Sequence, residues 1–339
     1  MSDQSPTYIP LHRVATALPF MDYLHQYSAP VEHELQRANL PVLAMNDPDC
    51  FIPSRQYWNF IANVANREGI KDLCFLVGLH SGANAADPGL AKQLVRLPSL
   101  HQALDRLCKI ASTEISQVAL WLEPTGSNSH RLHYQTSYGP DHPAYVHFQW
   151  YGLMAVIAAV RLFAGKRWHP RQIGLGTTRR PGQSIRQYFP HARFHTGQAH
   201  CFIGISNRLL GKPPQLDEDL FESSLRYKKI RPPRDFIGTL KLALRSYLMD
   251  GAPSVELAAD IAGLSTRTLQ RRLADEGWSY RDQLAEVRYE AAVDLMQNTD
   301  LAITDIASLL GYSDPSHFAR AFRRLAGVSP REYLQSLSV

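Results

Sequence analysis

Residues 303–324 read ITDIASLLGYSDPSHFARAFRR, and residues 255–273, VELAADIAGLSTRTLQRRL, repeat the same pattern of apolar, small and polar positions. In each copy the apolar residues recur at spacings of three and four on both sides of a glycine, which predicts two short amphipathic helices joined by a turn. Each copy is therefore predicted to form a helix-turn-helix unit, and the chain contains two of them.

The residues of the two turns support this prediction independently. Gly263 and Gly311 stand where a residue of left-handed conformation would end the first helix of each unit. Ser265 and Ser313 follow each glycine closely, at positions where a side-chain oxygen could cap the second helix. Because both features occur in both copies, the repeat is better explained by a shared structure than by composition.

One long helix is predicted between the two units, because the apolar residues of the segment 280–296 fall on a single helical stripe. These residues are Leu284, Val287, Ala291, Ala292 and Leu295. A rigid helix would hold the two second helices at a fixed separation, and successive major-groove faces of B-DNA recur about 34 Å apart. One chain could then contact two adjacent segments of the major groove.

Three stretches carry a resemblance to a known family: LQRRL at 269–273, GYSDPSHFARAF at 311–322 and GVSPREY at 327–333. Together they resemble the DNA-binding domain of the AraC/XylS family of bacterial transcription regulators, over residues 235–337. The resemblance implies an all-α domain with two helix-turn-helix units joined by a long helix. This is the architecture that the repeat itself predicts.

The resemblance also implies which side chains contact DNA, because in that family the exposed face of each second helix reads bases. The matching positions in this chain are Arg267, Gln270, Arg271, Ser316, His317 and Arg320. Arginine can pair with guanine O6 and N7, and glutamine with adenine N6 and N7. Phosphate contacts, which fix the register without reading sequence, are expected from Thr266, Arg272, Ser313, Arg323 and Arg324.

Charge is unevenly distributed along the chain. There are 36 Lys and Arg against 31 Asp and Glu, a net charge of +5. From residue 234 to the end there are 12 basic and 14 acidic residues. The preceding 233 residues contain 24 basic and 17 acidic residues. The predicted DNA-binding half is therefore slightly acidic, with its arginines clustered on the two reading helices. We expect specificity to depend on base contacts, and binding to weaken at high salt.

Length and composition predict a second domain before this one. We expect an α+β effector-sensing or dimerisation domain over residues 1–212, a proline-rich linker over 213–234 and the DNA-binding domain over 235–339. Helices are predicted over 21–40, 55–67 and 99–112, and a short amphipathic helix is predicted inside the linker on Leu216, Leu220, Phe221 and Leu225. Strands are predicted over 118–123, 131–136, 172–176 and 200–205.

The segment 145–164 is apolar and has the length of a membrane span. Several polar side chains, among them His147, Gln149 and Arg161, dilute its apolar character. We therefore predict a buried core helix rather than a membrane segment.

The cysteines and histidines of the chain do not have the spacing of catalytic, redox or metal sites. The four cysteines are far apart, with no C-x-x-C pair and no signal sequence, which predicts buried thiols in a cytoplasmic protein, with a redox-sensing pair as the alternative. His191, His195 and His200 do not have the spacing of zinc ligands. No nucleotide-binding or G-x-S-x-G motif occurs, so no metal, cofactor or enzymatic activity is predicted.

The segment Trp168-His169-Pro170, followed by a strand, and the closing Asn207-Arg208-Leu209-Leu210 carry a second resemblance. They resemble the effector domain of a subset of the same family, the ornithine-utilisation and VirS-like regulators, whose domain is not the sugar-binding cupin of the arabinose regulator. The resemblance implies an effector-sensing domain and does not identify the effector.

Taken together, the two resemblances imply a transcription regulator, an activator by analogy, that binds promoter DNA and associates with the nucleoid. They also imply a small-molecule effector, contact with RNA polymerase and a possible homodimer. Two alternatives stay open. One is a ligand-independent regulator whose N-terminal domain is structural or oligomerising. The other is an enzyme with an appended DNA-binding domain, although no cysteine has the Pro-Cys-His setting of an activated thiol.

Overall fold

The computed structural model describes residues 7–81, 88–114, 118–136, 138–215 and 232–337. Its helices are α1 (Leu18–Gln26), α2 (Val31–Arg37), α3 (Ser54–Arg67), α4 (Leu73–Ser81), α5 (Pro88–Leu94), α6 (Leu100–Glu114), α7 (Tyr145–Ala164), α8 (Gln183–Tyr188), α9 (Asn207–Leu210), α10 (Phe236–Tyr247), α11 (Val255–Ala262), α12 (Thr266–Asp275), α13 (Tyr280–Asn298), α14 (Ile303–Leu309), α15 (Pro315–Ala326) and α16 (Pro330–Leu337). Its strands are β1 (Leu11–Arg13), β2 (Phe51–Pro53), β3 (Val118–Pro124), β4 (Ser129–Thr136), β5 (Gln172–Gly174), β6 (Arg193–His195) and β7 (Cys201–Ser206).

These residues pack as two compact units. The C-terminal unit consists of the described residues of 1–11, 39–56 and 232–339. The N-terminal unit consists of 12–38 and the described residues of 57–231. An α+β N-terminal region followed by an all-helical C-terminal region confirms the predicted fold class.

The N-terminal unit is built on a five-stranded sheet with the order β3-β4-β7-β5-β6. Its strands pair antiparallel except for β5 and β6, which are parallel. The predicted strands 118–123 and 131–136 are confirmed as the hairpin of β3 and β4, whose turn contains Gly126 at a φ of 71°. A glycine suits this position because other residues are strained at positive φ.

The core of the N-terminal unit is the helix α7, whose bounds are those predicted for the apolar segment. It packs against α4 and against the strands β4 and β7. By length and composition alone it could cross a membrane, but 78% of its most apolar window is buried inside the protein. Burial on this scale is that of a core helix, which agrees with the prediction.

The predicted helix over 21–40 is wrong, because the chain forms two shorter helices there. The helix α1 ends at Gln26 and α2 begins at Val31. Between them Ser28 has a φ of 55° and Pro30 occupies the cap of α2, where its ring cannot continue a helix from the preceding residues. The apolar period continues across the break, which is why the pattern suggested one helix.

In the C-terminal unit the two helix-turn-helix units are confirmed as α11 with α12 and α14 with α15, and α13 connects them. Both turn glycines have the expected left-handed conformation, with φ of 66° at Gly263 and 74° at Gly311. Ser265 caps α12 as predicted, since its side chain accepts a hydrogen bond from the amide of Thr268 at 3.2 Å.

The predicted cap at Ser313 is wrong, because the next residue caps α15. The Asp314 carboxylate accepts a hydrogen bond from the Ser316 amide at 2.7 Å. The helix begins at Pro315, whose missing N–H is tolerated at the first helical position, and this places the cap one residue later than in the first unit.

Two segments near the start of the chain pack with the C-terminal helices. Ile9, Leu11 and Phe51 belong to the same apolar cluster as α10 and α11. The amide of Ile9 donates to Oγ1 of Thr239 at 2.9 Å, and the hydroxyl of Tyr247 donates to the Asn39 carbonyl at 2.7 Å. The core of the C-terminal unit therefore includes residues that lie far away in sequence.

Residues 216–231, and with them the helix predicted on Leu216, Leu220, Phe221 and Leu225, lie outside the described residues. Before that gap, the amide of Gln215 donates to the Leu162 carbonyl at 2.7 Å. Beyond it, residues 232–234 belong to the C-terminal unit.

Replacing Gly311 with valine is expected to destabilise the C-terminal unit. A left-handed conformation costs other residues about 1–2 kcal/mol, and a Cβ there would lie 3.4 Å from the Ala252 nitrogen. The control is Gly211→Val, because Gly211 has a φ of −81° and open space around it. Thermal unfolding followed by circular dichroism should show a lower melting temperature for the first variant alone. Equal melting temperatures would show that the turn does not need glycine.

Phe51→Ala is expected to destabilise the C-terminal helices although residue 51 is far from them in sequence. Its side chain is 1% exposed, and such a truncation costs about 3–5 kcal/mol. Leu43→Ala, in the same segment and 42% exposed, is the matched control and should change stability by less than about 0.5 kcal/mol. Hydrogen exchange of the α10 and α11 amides measures the effect. Unchanged exchange in the Phe51 variant would show that the segment is not part of this cooperative unit.

Candidate nucleic-acid interface

The helix α12 presents its predicted base-reading side chains on one exposed face. Arg267, Gln270 and Arg271 are all exposed and lie at the three- and four-residue spacing that groups them on one side of a helix. Leu269 and Leu273, on the opposite side, are fully buried in the core of the C-terminal unit. This burial fixes the rotation of the helix, so the polar face must point outward.

The helix α15 has the same arrangement. Ser316, His317 and Arg320 are exposed, while Phe318 and Phe322 are each 2% exposed and pack into the core. The two phenylalanine rings lie 5.8 Å apart, which makes the buried side of the helix a continuous aromatic surface. The predicted reading positions of both helices are therefore equivalent in burial.

The predicted phosphate-contacting residues differ from one another in burial. Arg323 and Arg324 are exposed in the last turn of α15, and Ser313 is exposed in the turn before it. Thr266 is half-buried at the start of α12. These four residues flank the two reading faces, and their phosphate contacts stay a prediction.

Arg272 occupies a different environment from the other predicted contacts. Its guanidinium carbon lies 3.7 Å from the centroid of the Phe236 ring on α10, and the side chain is half-buried. Burial lowers the pKa of Arg272, although an arginine stays charged at neutral pH. The side chain therefore packs α12 against α10, a role that the sequence did not indicate, and its phosphate contact stays a prediction.

His317 lies beside the cap of its own helix. Its Nε2 atom is 3.8 Å from Oδ2 of Asp314, so a protonated imidazole would be attracted to that carboxylate. The pKa of Asp314 is lowered mainly by its hydrogen bond from the Ser316 amide. This contact lies at the start of α15, and the base contact of His317 stays a prediction.

The connector α13 is anchored to the second turn by Arg288, a residue that sequence reasoning missed. Its guanidinium lies over the Tyr312 ring at 4.6 Å, and Nη2 donates to the Gly311 carbonyl at 3.4 Å. The 19 residues of α13 span about 28 Å at a rise of about 1.5 Å per residue. No local motif signals this contact, because it joins positions more than twenty residues apart.

Acidic residues on α13 pair with basic side chains of α10, away from the exposed faces of α12 and α15. Lys241 on α10 pairs with Glu286 and, at 3.7 Å, with Glu290 on α13. One turn further along α10, Arg245 pairs with Asp294. Within the described residues, the exposed arginines of α12 and α15 form no ion pair within 4 Å. Three of the 14 acidic residues of this half, Glu286, Glu290 and Asp294, are therefore paired away from α12 and α15.

Two family models match the chain. A helix-turn-helix domain matches residues 258–336. The arabinose-binding domain of AraC transcription regulators, an N-terminal domain, matches residues 29–214. The second match alone covers more than half of the chain.

Individual relatives agree with these matches. The HTH-type transcriptional regulator VirS of Mycobacterium tuberculosis is 33% identical over 141 residues, 40% of this chain and 42% of that protein. The ornithine utilization regulator of Pseudomonas aeruginosa is 38% identical over 84 residues, a quarter of each protein. The chain thus matches less than half the length of these relatives. The crystal structure of the regulator CdpR from Pseudomonas aeruginosa aligns with 95% of this chain and 98% of its own, at 22% identity and a TM-score of 0.43.

The neighbours Arg271 and Arg272 should respond differently to truncation. Arg271→Ala is expected to cost about 1–3 kcal/mol of binding at the cognate DNA site and to leave the melting temperature unchanged. Arg272→Ala should also lower stability, by about 0.5–2 kcal/mol, because it removes the contact with Phe236. Fluorescence anisotropy on cognate and shuffled DNA, together with thermal unfolding, measures both. An equal loss for Arg271→Ala on shuffled DNA would show that Arg271 contacts phosphate rather than bases.

Proposed function

The chain belongs to the AraC family of transcription regulators, and we propose that it binds promoter DNA through α12 and α15 and responds to a small molecule held by the N-terminal unit. One observation carries the DNA-binding part of this proposal. Two helices of one chain each present an exposed polar face with arginines, and the opposite face of each is fixed in a shared core. Arginine and glutamine side chains on such faces are suited to the edges of bases in the major groove.

We assign effector sensing to the N-terminal unit, within residues 1–212. The match over 29–214 is to a family described as an arabinose-binding domain, which supports a ligand-binding role without naming the ligand of this chain. An effector can change DNA binding only through different affinities for two states of the protein. Such coupling typically amounts to about 1–3 kcal/mol, or about 5–150-fold in affinity.

We further propose that the protein acts as an activator that contacts RNA polymerase and binds DNA as a homodimer in the cytoplasm, associated with the nucleoid. Activation and the polymerase contact rest on the family resemblance. The homodimer rests on the same resemblance, and two copies would double the number of phosphate contacts that one copy makes.

An enzyme that acts through a thiol nucleophile is not supported by the state of the cysteines. Burial raises the pKa of Cys108 and Cys201 to about 11 and is the main cause that raises the pKa of Cys50 to about 12. Cys74 is buried and its pKa is also raised. Thiols in these environments stay protonated at neutral pH and are poor nucleophiles.

Binding of the full-length protein to DNA from its own upstream region and from neighbouring promoters tests the proposal. Anisotropy titrations would be made with and without a panel of amino acids, fatty acids and other metabolites, with shuffled DNA as the control. We expect preference for one promoter fragment and a change of at least about fivefold in affinity with one compound class.

The other results are informative as well. Specific binding that no compound changes would contradict effector sensing and favour the ligand-independent regulator with an oligomerising N-terminal unit. No preference for any fragment over shuffled DNA would contradict promoter recognition through α12 and α15. Where one fragment is preferred, with or without an effect of a compound, the double variant Arg271→Ala with Arg320→Ala should abolish that preference.

A further inference from the structure

The N-terminal unit contains a long segment without acidic residues. Residues 142–216 contain ten lysines and arginines and no aspartate or glutamate, although 31 of the 339 residues of the chain are acidic. The rest of the first 233 residues contain 14 basic and 17 acidic residues. The excess of basic residues in this half of the chain therefore comes from one segment.

The sheet brings separate parts of this segment to one end. The strand β5 runs parallel to β6 and antiparallel to β7, so the starts of β5 and β6 lie at the same end of the sheet as the end of β7. Residues 165–171 lead into β5, residues 189–192 lead into β6 and residues 207–212 follow β7. The amide of Arg193 donates to the Arg171 carbonyl at 2.8 Å, which places the starts of β5 and β6 side by side.

Four exposed arginines lie at this end of the sheet, and the surface that they form is called the basic end: Arg167, Arg171, Arg193 and Arg208. Every ion pair among the described residues is formed by other side chains. No described carboxylate therefore neutralises the four guanidinium groups.

Further positive groups lie next to the basic end. The ring of His169, which precedes β5, is 5.0 Å from the ring of Tyr188, which precedes β6. The guanidinium carbon of Arg161 is 5.6 Å from the centroid of the same Tyr188 ring. Burial lowers the pKa of His169, and the charges of Arg161 and His191 lower it further. The groups around the four arginines thus add positive charge rather than cancel it.

The acidic residues nearest to these strands lie away from the basic end. Glu123 is on β3, at the opposite edge of the sheet, and its Oε2 atom is 2.7 Å from Nε2 of His133. Neighbouring strands are about 4.8 Å apart, so β3 is about 14–19 Å from β5 and β6. This distance exceeds the Debye length of about 8–10 Å at physiological salt. The Asp72 carboxylate lies beside Gly182 at the start of α8, the other end of the connection between β5 and β6.

We propose that the basic end is a second DNA-contacting surface, which binds phosphates of the duplex outside the segments that α12 and α15 read. The inference rests on the proposed function, because DNA held by the reading helices is the anion that the N-terminal unit meets. A single chain would then bind DNA with one half for sequence and with the other half for charge.

The chemistry of the basic end favours DNA over a small anion. Its arginines are spread over the ends of three neighbouring strands, a width of about 10 Å, and do not surround one point. A duplex presents one negative charge for about every 1.7 Å of its length, so it can meet several such side chains at once. Because both halves belong to one chain, DNA bound by α12 and α15 is present at a high effective concentration near the N-terminal unit.

Anisotropy titrations of the full-length protein on two DNA fragments test the proposal. The shorter fragment ends at the edges of the protected region of the preferred promoter. The longer fragment adds about 20 base pairs of shuffled sequence on each side, which is about two helical turns. The wild type is expected to bind the longer fragment at least about fivefold more tightly at low salt. The slope of log K against log salt should become steeper there, by about 0.9 for each added phosphate contact.

Variants locate the contact on the protein. The double variant Arg171→Gln with Arg193→Gln should lose the gain on the longer fragment, and Arg193→Gln alone should lose part of it if the double variant does not fold. Arg171→Lys with Arg193→Lys should keep the gain, because an ammonium group also binds phosphate. The matched control is Arg179→Gln with Arg180→Gln, which removes two exposed arginines that follow β5 at its other end and should also keep the gain.

Three results would overturn the proposal. They are equal binding of both fragments by the wild type, a gain that persists in Arg171→Gln with Arg193→Gln, and an equal loss of the gain in the control variant. The first result combined with preference for the promoter over shuffled DNA leaves the proposed function standing, and an acidic protein surface then becomes the partner class for the basic end. A gain that depends on Arg171 and Arg193 without any promoter preference supports the basic end and contradicts promoter recognition.

Discussion

The packing of α10 and α13 against each other, with α10 on the first helix-turn-helix unit and α13 on the second, is the constraint on which the rest of the DNA-binding half depends. A helix-turn-helix of about twenty residues cannot bury its own apolar face, so each unit needs a partner surface. The helix α13, with Val287, Ala291 and Ala292 buried, packs against α14 and α15 of the second unit, and α10 packs against both α13 and α11 of the first unit. Because one rigid helix joins both units, the separation of α12 and α15 is a property of the fold rather than of the DNA.

Ion pairs along α13 affect the surface charge of this half more than its stability. The ion pairs of Lys241 and Arg245 with α13 are partly exposed, and such pairs contribute modestly to stability. Their larger effect is on the distribution of surface charge. Acidic side chains along α13 are paired with Lys241 and Arg245, whereas the exposed arginines of α12 and α15 are not paired within the part of the chain that the structure describes. This explains how a half with a net negative charge can present a positive face to DNA.

Local patterns in the sequence predicted the parts of the fold that are held by local contacts. The turn at Gly263 and the helix of 145–164 were predictable because each depends on neighbours in sequence. The break at Ser28 and the cap at Asp314 were missed because a proline, Pro30 or Pro315, sets the start of the helix in each case. The apolar residues keep their helical spacing there and give no sign of it. The packing of residue 51 with α10 and the contact of Arg272 with Phe236 were not predictable, since each joins distant parts of the chain.

Methylation-protection footprinting on the promoter fragment that binds most tightly tests the central claim most directly. If α12 and α15 enter adjacent segments of the major groove, each bound chain should protect a pair of guanine groups on one side of the DNA, about 10 base pairs apart. Arg271→Ala should remove one group of each pair and Arg320→Ala the other. A single protected group that both variants weaken equally would contradict reading by two helices held apart by α13.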